Sequence, residues 1–260
     1  MASFSTPAIV LRAVNTGEAD RVVTLFGRDS GRLSALARGA RKSQKRFAGG
    51  LGLCAAGVAT LRERANSELL TLEGFDATAG HAALGADVGR MAHAAYAAEL
   101  VGKLCAPRQV EPAIYDWLLE LLTHLELEGA SAERLRVFEL GLLGGLGFGP
   151  AIAACAVCAG ASYVGRDAST VAFRWDPDRG GAVCVACARG GRPITAAARA
   201  ALLHLKAVPL RAAARESLPP DANRDCREAL AEIINHHIGG PLKSVEFIAK
   251  LSAANSAGRP

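Results

Sequence analysis

The chain lacks a hydrophobic run of membrane-spanning length. Across its 260 residues no stretch of about 18 consecutive apolar residues occurs. The opening "MASFSTPAIVLRAVNTGEADR" has no basic segment leading into an apolar run of signal-peptide type. These absences predict a soluble protein of the cytoplasm with no membrane partner. Catalytic signatures are missing too. There is no H-E-x-x-H, no G-x-S-x-G and no G-x-x-x-x-G-K-[ST], so zinc-protease, serine-hydrolase and P-loop chemistry have no support. A zinc deaminase needs His/Cys-x-Glu with Pro-Cys-x-x-Cys, which neither cysteine pair of this chain provides. "GGLGFG" (Gly144 to Gly149) looks like a phosphate loop, but it follows a helical pattern and not a strand, which makes it a helix terminus. Aromatic residues make up only 5%, which excludes little.

What is present is a folded composition, 50% hydrophobic and 21% charged, at a length of one large or two ordinary domains. Net charge is +5, which permits a polyanionic partner without demanding one. Its distribution is more telling. From Leu11 to Arg46 nine residues are Lys or Arg against three acids, and from Arg32 to Arg46 six are basic (Arg32, Arg38, Arg41, Lys42, Lys45, Arg46) with no acid among them. Within "LARGARKSQKRFAGG" (Leu36 to Gly50) the cations are bracketed by Gly39 and Gly49-Gly50 and accompanied by Ser43, Gln44 and Phe47. Glycines let the backbone approach a phosphate chain, hydroxyl and amide groups donate to phosphate oxygens, and Phe47 can offer a face to a base. The competing reading is a solvated loop that keeps the protein soluble.

Five short strand patterns fill the first 80 residues: Ala8 to Val14, Arg21 to Gly27, Gly31 to Ala40, Leu53 to Glu63 and Ser67 to Ala77. Asn15-Thr16-Gly17, Asp29-Ser30-Gly31 and Ala65-Asn66 supply turns. Five strands in so short a span predict a small barrel, because closing the sheet removes its exposed edges. From about residue 86 the period becomes helical, as in Ile114, Trp117, Leu118, Leu121, Leu122 and Leu125. Ser131, Thr195 and Asp221 are the expected N-caps of later helices, and Gly239-Gly240-Pro241 is a stop. Between Cys155 and Cys187 the helical pattern is interrupted by a strand in which Val171, Phe173 and Trp175 alternate. The final "SAANSAGRP" is expected to fray.

Cys155-x2-Cys158 and Cys184-x2-Cys187, 25 residues apart, form two hooks able to present four thiolates to one ion. In a reducing cell that set matches tetrahedral Zn2+, and a site filled by four protein ligands holds no activated water, so the zinc is structural. Buried thiols or a redox pair are the alternatives. Cys54, Cys105 and Cys226 lack partners at ligand spacing and read as small core residues. His236-His237 sits in a last helical turn, where the helix dipole accounts for it.

"TGEADRVVTLFGRDSGRLSALARGARKSQKRFAGGL" (Thr16 to Leu51), "FELGLLGGLGFGP" (Phe138 to Pro150), the Gly-Gly-x-x-Cys-x-x-Cys of Gly180 to Cys187 and "PLKSVEFI" (Pro241 to Ile248) together resemble the RecO family of bacterial recombinational-repair proteins, in the same order. The resemblance implies an α+β multidomain protein: an N-terminal OB-fold barrel (1–80), an α-helical domain (81–150 and 193–252) and an inserted zinc-binding module (151–192). It implies a non-enzymatic mediator of the RecF pathway that binds single- and double-stranded DNA, anneals complementary strands and acts with RecR to load RecA on DNA coated by single-strand-binding protein (SSB). It also implies a cytoplasmic, nucleoid-associated location. Matched residue to residue, Arg21, Arg38, Arg41, Lys42 and Arg46 would contact DNA, joined by Arg32 and Lys45 of the same cationic run, and Cys155, Cys158, Cys184 and Cys187 would hold the zinc. The family's pocket for the acidic SSB C-terminal tail has no residue-by-residue match; Arg134 or Arg136, beside Leu135 and Phe138, is the one suggestion. A reading of a different class is a zinc-containing interaction scaffold without direct DNA binding.

Overall fold

The computed structural model describes residues 2–43, 45–47, 50–79, 81–160 and 173–245, without the side chain of Ala82. Val171 and the last fifteen residues, with the expected fraying there, lie outside that range. The chain divides into two compact units, Met1–Ala130 with Leu242–Pro260, and Ser131–Pro241.

In the first unit five strands close into a barrel in the order β1 (Ser3–Thr16), β2 (Asp20–Gly27), β3 (Gly31–Ala37), β5 (Ser67–Ala79), β4 (Ala56–Arg64). In β3 Leu33, Ala35 and Ala37 are buried while Arg32, Ser34 and Leu36 alternate outward, the period of a strand with one face on a core. Closure comes from β1, which is longer than its apolar pattern suggests. Its first half, Ser3 to Ile9, pairs with β4, and Ala8 onward pairs with β2. Polar Ser3, Ser5 and Thr6 carry no hydrophobic alternation, so the sequence places the start at Ala8 instead. β3 and β5 complete the ring through a parallel pairing, Ala35 with Leu70 and Leu36 with Thr71. Val23, Leu25, Leu33, Leu61, Leu72 and Phe75 fill the interior.

β3 stops at Ala37, three residues before the expected Ala40, because Gly39 turns into the left-handed region (φ 65°) and its N–H donates to Asp20 Oδ1 at 2.7 Å. Two helices follow, α1 (Val88–Leu104), capped by Asp87 accepting from the Arg90 N–H, and α2 (Pro112–Glu128). Arg28 holds α2 to the barrel through a bidentate pair with Asp116 (2.9 and 2.8 Å).

The second unit holds α3 (Ala132–Gly145), α4 (Ala196–Ala207) and α5 (Pro220–Ile238) around a three-stranded sheet, β7 (Gly181–Cys184), β6 (Phe173–Asp176), β8 (Arg192–Pro193). Ser131 and Thr195 cap α3 and α4 as the sequence predicts, accepting from the Arg134 and Ala198 N–H groups. Asp221 does not cap α5. Pro219 occupies the cap position, and Asp221 lies in the first turn, paired with Arg224, because Pro220 at the first helical position starts the helix two residues earlier than a cap at Asp221 would. Gly147 (φ 79°) ends the segment after α3, the terminus role expected of "GGLGFG". Trp175 is fully buried and donates its indole N–H to the Ala229 carbonyl at 2.9 Å, tying β6 to α5. A barrel followed by a helical region carrying a four-cysteine cluster is the architecture the sequence implies. No described helix is long and apolar enough to cross a membrane.

Candidate nucleic-acid interface and metal centre

The cationic run is a folded loop at one end of the barrel. Arg41 anchors it to the β1–β2 turn: its N–H donates to the Ala19 carbonyl at 3.0 Å and its guanidinium to the Glu18 carbonyl at 2.9 Å. Arg46 closes the loop on itself, donating to the Arg38 carbonyl at 2.7 Å and to Ser43 Oγ at 3.4 Å, while its own carbonyl accepts from the Phe75 N–H of β5. Arg38, Arg41, Lys42, Lys45 and Arg46 are all exposed. Arg21 joins them through the sheet register, because it pairs with Ala37 across β2–β3; its guanidinium donates to Asn15 Oδ1 at 3.0 Å. Six cations therefore share one barrel end. Gln44 and Gly49 lie outside the described residues.

Arg32 is not among them. It pairs with Phe26 at the opposite end of β3 and donates to the Cys105 carbonyl at 2.9 Å. Five steps of strand from Arg32 to Ala37 and one more to Arg38, at about 3.3 Å each, put it about 20 Å from Arg38. Conversely, two cations the cationic run does not contain lie beside Arg38. Arg62 and Arg64, at the end of β4, line with it a cavity of about 310 Å³ that also contains Glu63 and Thr71. Arg62 is paired with Glu73 at 2.8 Å. Only strand pairing reveals this neighbourhood, since Arg38 and Arg62 are 24 positions apart in the sequence.

Phe47 does not face a base. It is 4% exposed and packs into the barrel core, with the Arg46 guanidinium 5.3 Å from its ring centre. A loop of cations needs an anchor, and a buried ring supplies one. Phe47→Ala is expected to cost roughly 3 to 5 kcal/mol of barrel stability. Phe47→Leu, which keeps an apolar anchor, should leave affinity for single-stranded DNA within about twofold, since no stacking contact is lost. Chemical denaturation and DNA titration of the two variants check this.

In the second unit the two cysteine hooks converge. The four Sγ atoms of Cys155, Cys158, Cys184 and Cys187 lie within 4.8 Å of one another, and Cys158 and Cys184 are 3.9 Å apart. A tetrahedron with metal–sulfur bonds of about 2.3 Å has edges of about 3.8 Å, so the donor set fits a four-coordinate soft cation. Backbone N–H groups from Cys158 and then Cys184 hold the Cys155 thiol down to about 6. Hydrogen bonding with the Cys184 sulfur and then the Cys158 sulfur pushes Cys187 up to about 12.

The Gly180-Gly181 step has a geometric reason. Gly180 is left-handed (φ 77°), and a Cβ on Gly181 would meet the Ala151 carbonyl oxygen at 2.4 Å, where residue 151 pairs beside β7. That pairing carries the chain into the first hook, where the Ala156 N–H donates to the Ala182 carbonyl at 2.8 Å.

Among the described residues no other group of three or more His, Cys, Asp or Glu side chains is gathered at ligand distance. Burial pushes Cys54, Cys105 and Cys226 up to about 12, as core thiols. His237 stacks on Phe148 with centroids 4.4 Å apart, and His236 reaches Asp178 at 3.2 Å. Arg134 and Arg136 do not form a surface pocket. Arg134 is fully buried and donates to the Leu210 carbonyl, and Arg136 is 6% exposed and paired with Glu139 at 2.8 Å.

Two family models match the chain: "Recombination protein O N terminal" over residues 1–80 and "Recombination protein O C terminal" over residues 85–246. Among similar proteins, one of Anaeromyxobacter sp. (strain K) is 41% identical over 246 residues, covering 94% of each chain. One of Myxococcus xanthus is 37% identical over 252 residues, covering 96% of this chain and 99% of its own. One of Geobacter sulfurreducens is 33% identical over 245 residues, covering 94% and 97%. All three are named "DNA repair protein RecO".

Proposed function

The chain belongs to the RecO family, and on that premise we propose that it is a DNA repair protein acting as a recombination mediator without catalytic residues. It binds single- and double-stranded DNA, anneals complementary strands, and with RecR promotes RecA loading on SSB-coated DNA, engaging the SSB C-terminal tail and working alongside RecF. The observation that supports the DNA reading best is the gathering of Arg21, Arg38, Arg41, Lys42, Lys45 and Arg46 at one end of a closed five-stranded barrel.

The mechanism is electrostatic. Lysine and arginine neutralise phosphates and release condensed counterions, so strands are held without reading their sequence. Arg32 contributes from the far end of the strand. Residues 1–80 carry DNA, 81–150 with 193–252 form the helical domain, and 151–192 form the zinc module. Cys155, Cys158, Cys184 and Cys187 hold Zn2+, which when bound crosslinks the two hooks and supplies folding energy, not chemistry. The protein works in the cytoplasm at the nucleoid.

One observation favours a second reading, a scaffold without direct DNA binding: Arg41 and Arg46 already donate to backbone carbonyls of the loop and its neighbours. Titration of a labelled oligonucleotide at two salt concentrations decides between them. Six single-strand phosphate contacts give a slope of log affinity against log salt of roughly −4, about −0.7 each. Absence of salt-dependent binding at micromolar protein would favour the scaffold.

A further inference from the structure

The first unit carries a second cationic site that the loop does not explain. A cleft of about 570 Å³ opens between the barrel and α1, and four of its lining residues are cations: Arg12 from β1, Arg32 from β3, Lys103 from α1 and Lys243 from the segment after Leu242. Three separate stretches of sequence converge here, at positions 12 to 32, 103 and 243. Arg12, Lys103 and Lys243 are exposed. Arg32 is held in place by its bond to the Cys105 carbonyl.

One acid, Glu99, shares the cleft, and its carboxylate is engaged by two backbone N–H groups, those of Lys243 at 3.1 Å and Ser244 at 2.8 Å. Burial works to raise the Glu99 pKa, but hydrogen bonding from Ser244 and Lys243 together with the Lys103 charge outweighs it and holds the group below the usual carboxylate range, so it stays ionised at neutral pH. Four cations against one carboxylate leave the lining strongly positive. Its apolar members are Leu11, Ala95 and Ala98, of which Leu11 and Ala98 are buried. Four cations around one engaged carboxylate suit a phosphodiester backbone, which asks for positive charge along its path.

We propose that this cleft is a second nucleic-acid site, which holds the phosphate backbone of a second strand while the cationic loop holds the first. The proposal rests on the DNA-mediator reading above and deepens it. The two sites are at opposite ends of β3, about 20 Å apart by strand rise. Annealing requires two polyanions to be held near each other, and two separated patches neutralise each before they meet.

The test uses the full zinc-loaded chain with Arg12→Ala, Lys103→Ala and Lys243→Ala combined. Loss of three single-strand phosphate contacts weakens that site by about 30-fold at ~0.2 M salt. The expected result is annealing of complementary oligonucleotides slowed by about tenfold or more, with affinity for one non-complementary oligothymidylate unchanged within about twofold. Lys103→Arg with Lys243→Arg, which keeps the charge, should anneal as the unaltered chain does. Circular dichroism and metal content report whether the triple variant folds, and Lys103→Glu alone, at an exposed position, repeats the comparison if it does not.

Annealing at the original rate in the triple variant would overturn the second site and leave the mediator reading standing. So would a parallel loss of oligothymidylate affinity, because it would mean one strand running through both patches. An acidic peptide that binds the unaltered chain but not the triple variant, with annealing intact, would assign the cleft to a protein partner and overturn the proposal. Failure of the unaltered chain to anneal at all would instead remove the mediator reading itself, and this inference with it.

Discussion

Replacing Arg38, Arg41, Lys42 and Arg46 together by alanine is expected to weaken single-stranded DNA binding by about a hundredfold at ~0.2 M salt and to flatten the salt slope by about 3. The magnitude follows from four lost contacts at about 0.7 of slope each. Arg41 and Arg46 also tie the loop to Glu18 and Arg38. Lysine at the three arginine positions separates the roles. It keeps the charge and loses the planar fork, so the slope should survive in that variant even if the loop loosens. Phe47, buried beneath the loop, remains as anchor in both sets. A slope unchanged in the alanine variant would move the DNA site elsewhere on the molecule.

The second large effect concerns the four thiols. Purified chain should retain about one zinc after exhaustive dialysis, and Cys155→Ser with Cys184→Ser should lower that to a small fraction, because each hook loses one of two ligands. Of the four thiols, Cys155 is the one most built into the fold. It is 3% exposed, its Sγ accepts from the Val157 and Cys184 N–H groups, and its own N–H donates to the Gly160 carbonyl. Structural zinc in small modules contributes on the order of 10 kcal/mol to folding. The double variant should therefore expose protease sites within 151–192 and lower the unfolding temperature. DNA affinity should stay within about twofold, since the barrel has its own core. Mass spectrometry, limited proteolysis and the same DNA titration measure the three quantities. Metal-free protein with unchanged stability would remove the zinc assignment.

Much of this was legible in the sequence, and the exceptions share a cause. Strand-type runs bounded by turn residues located all five barrel strands, because both signals are local, and the cysteine hooks were visible because ligand spacing within a hook is local. Pairing is not local. β1 changes partners along its length, so Ser3 to Pro7 form ladder bonds with β4 without any hydrophobic pattern to announce them. Arg32 and Arg38 look like neighbours in the sequence, yet β3 holds them at opposite ends, while Arg62 comes to Arg38 only through the ring closure of the barrel. Phe47 has the composition of a stacking residue and the position of a core one, and burial decided between them. Lys243 reaches the cleft because Glu99 captures its backbone N–H, a contact across 144 positions that no local pattern encodes.

The central claim, mediation and not mere DNA affinity, is tested most directly by the rate at which complementary strands anneal when both are coated with SSB. The unaltered chain should accelerate annealing of coated strands, and the Arg38, Arg41, Lys42 and Arg46 alanine variant should lose that acceleration. Acceleration confined to bare strands, or absent from both, would contradict it.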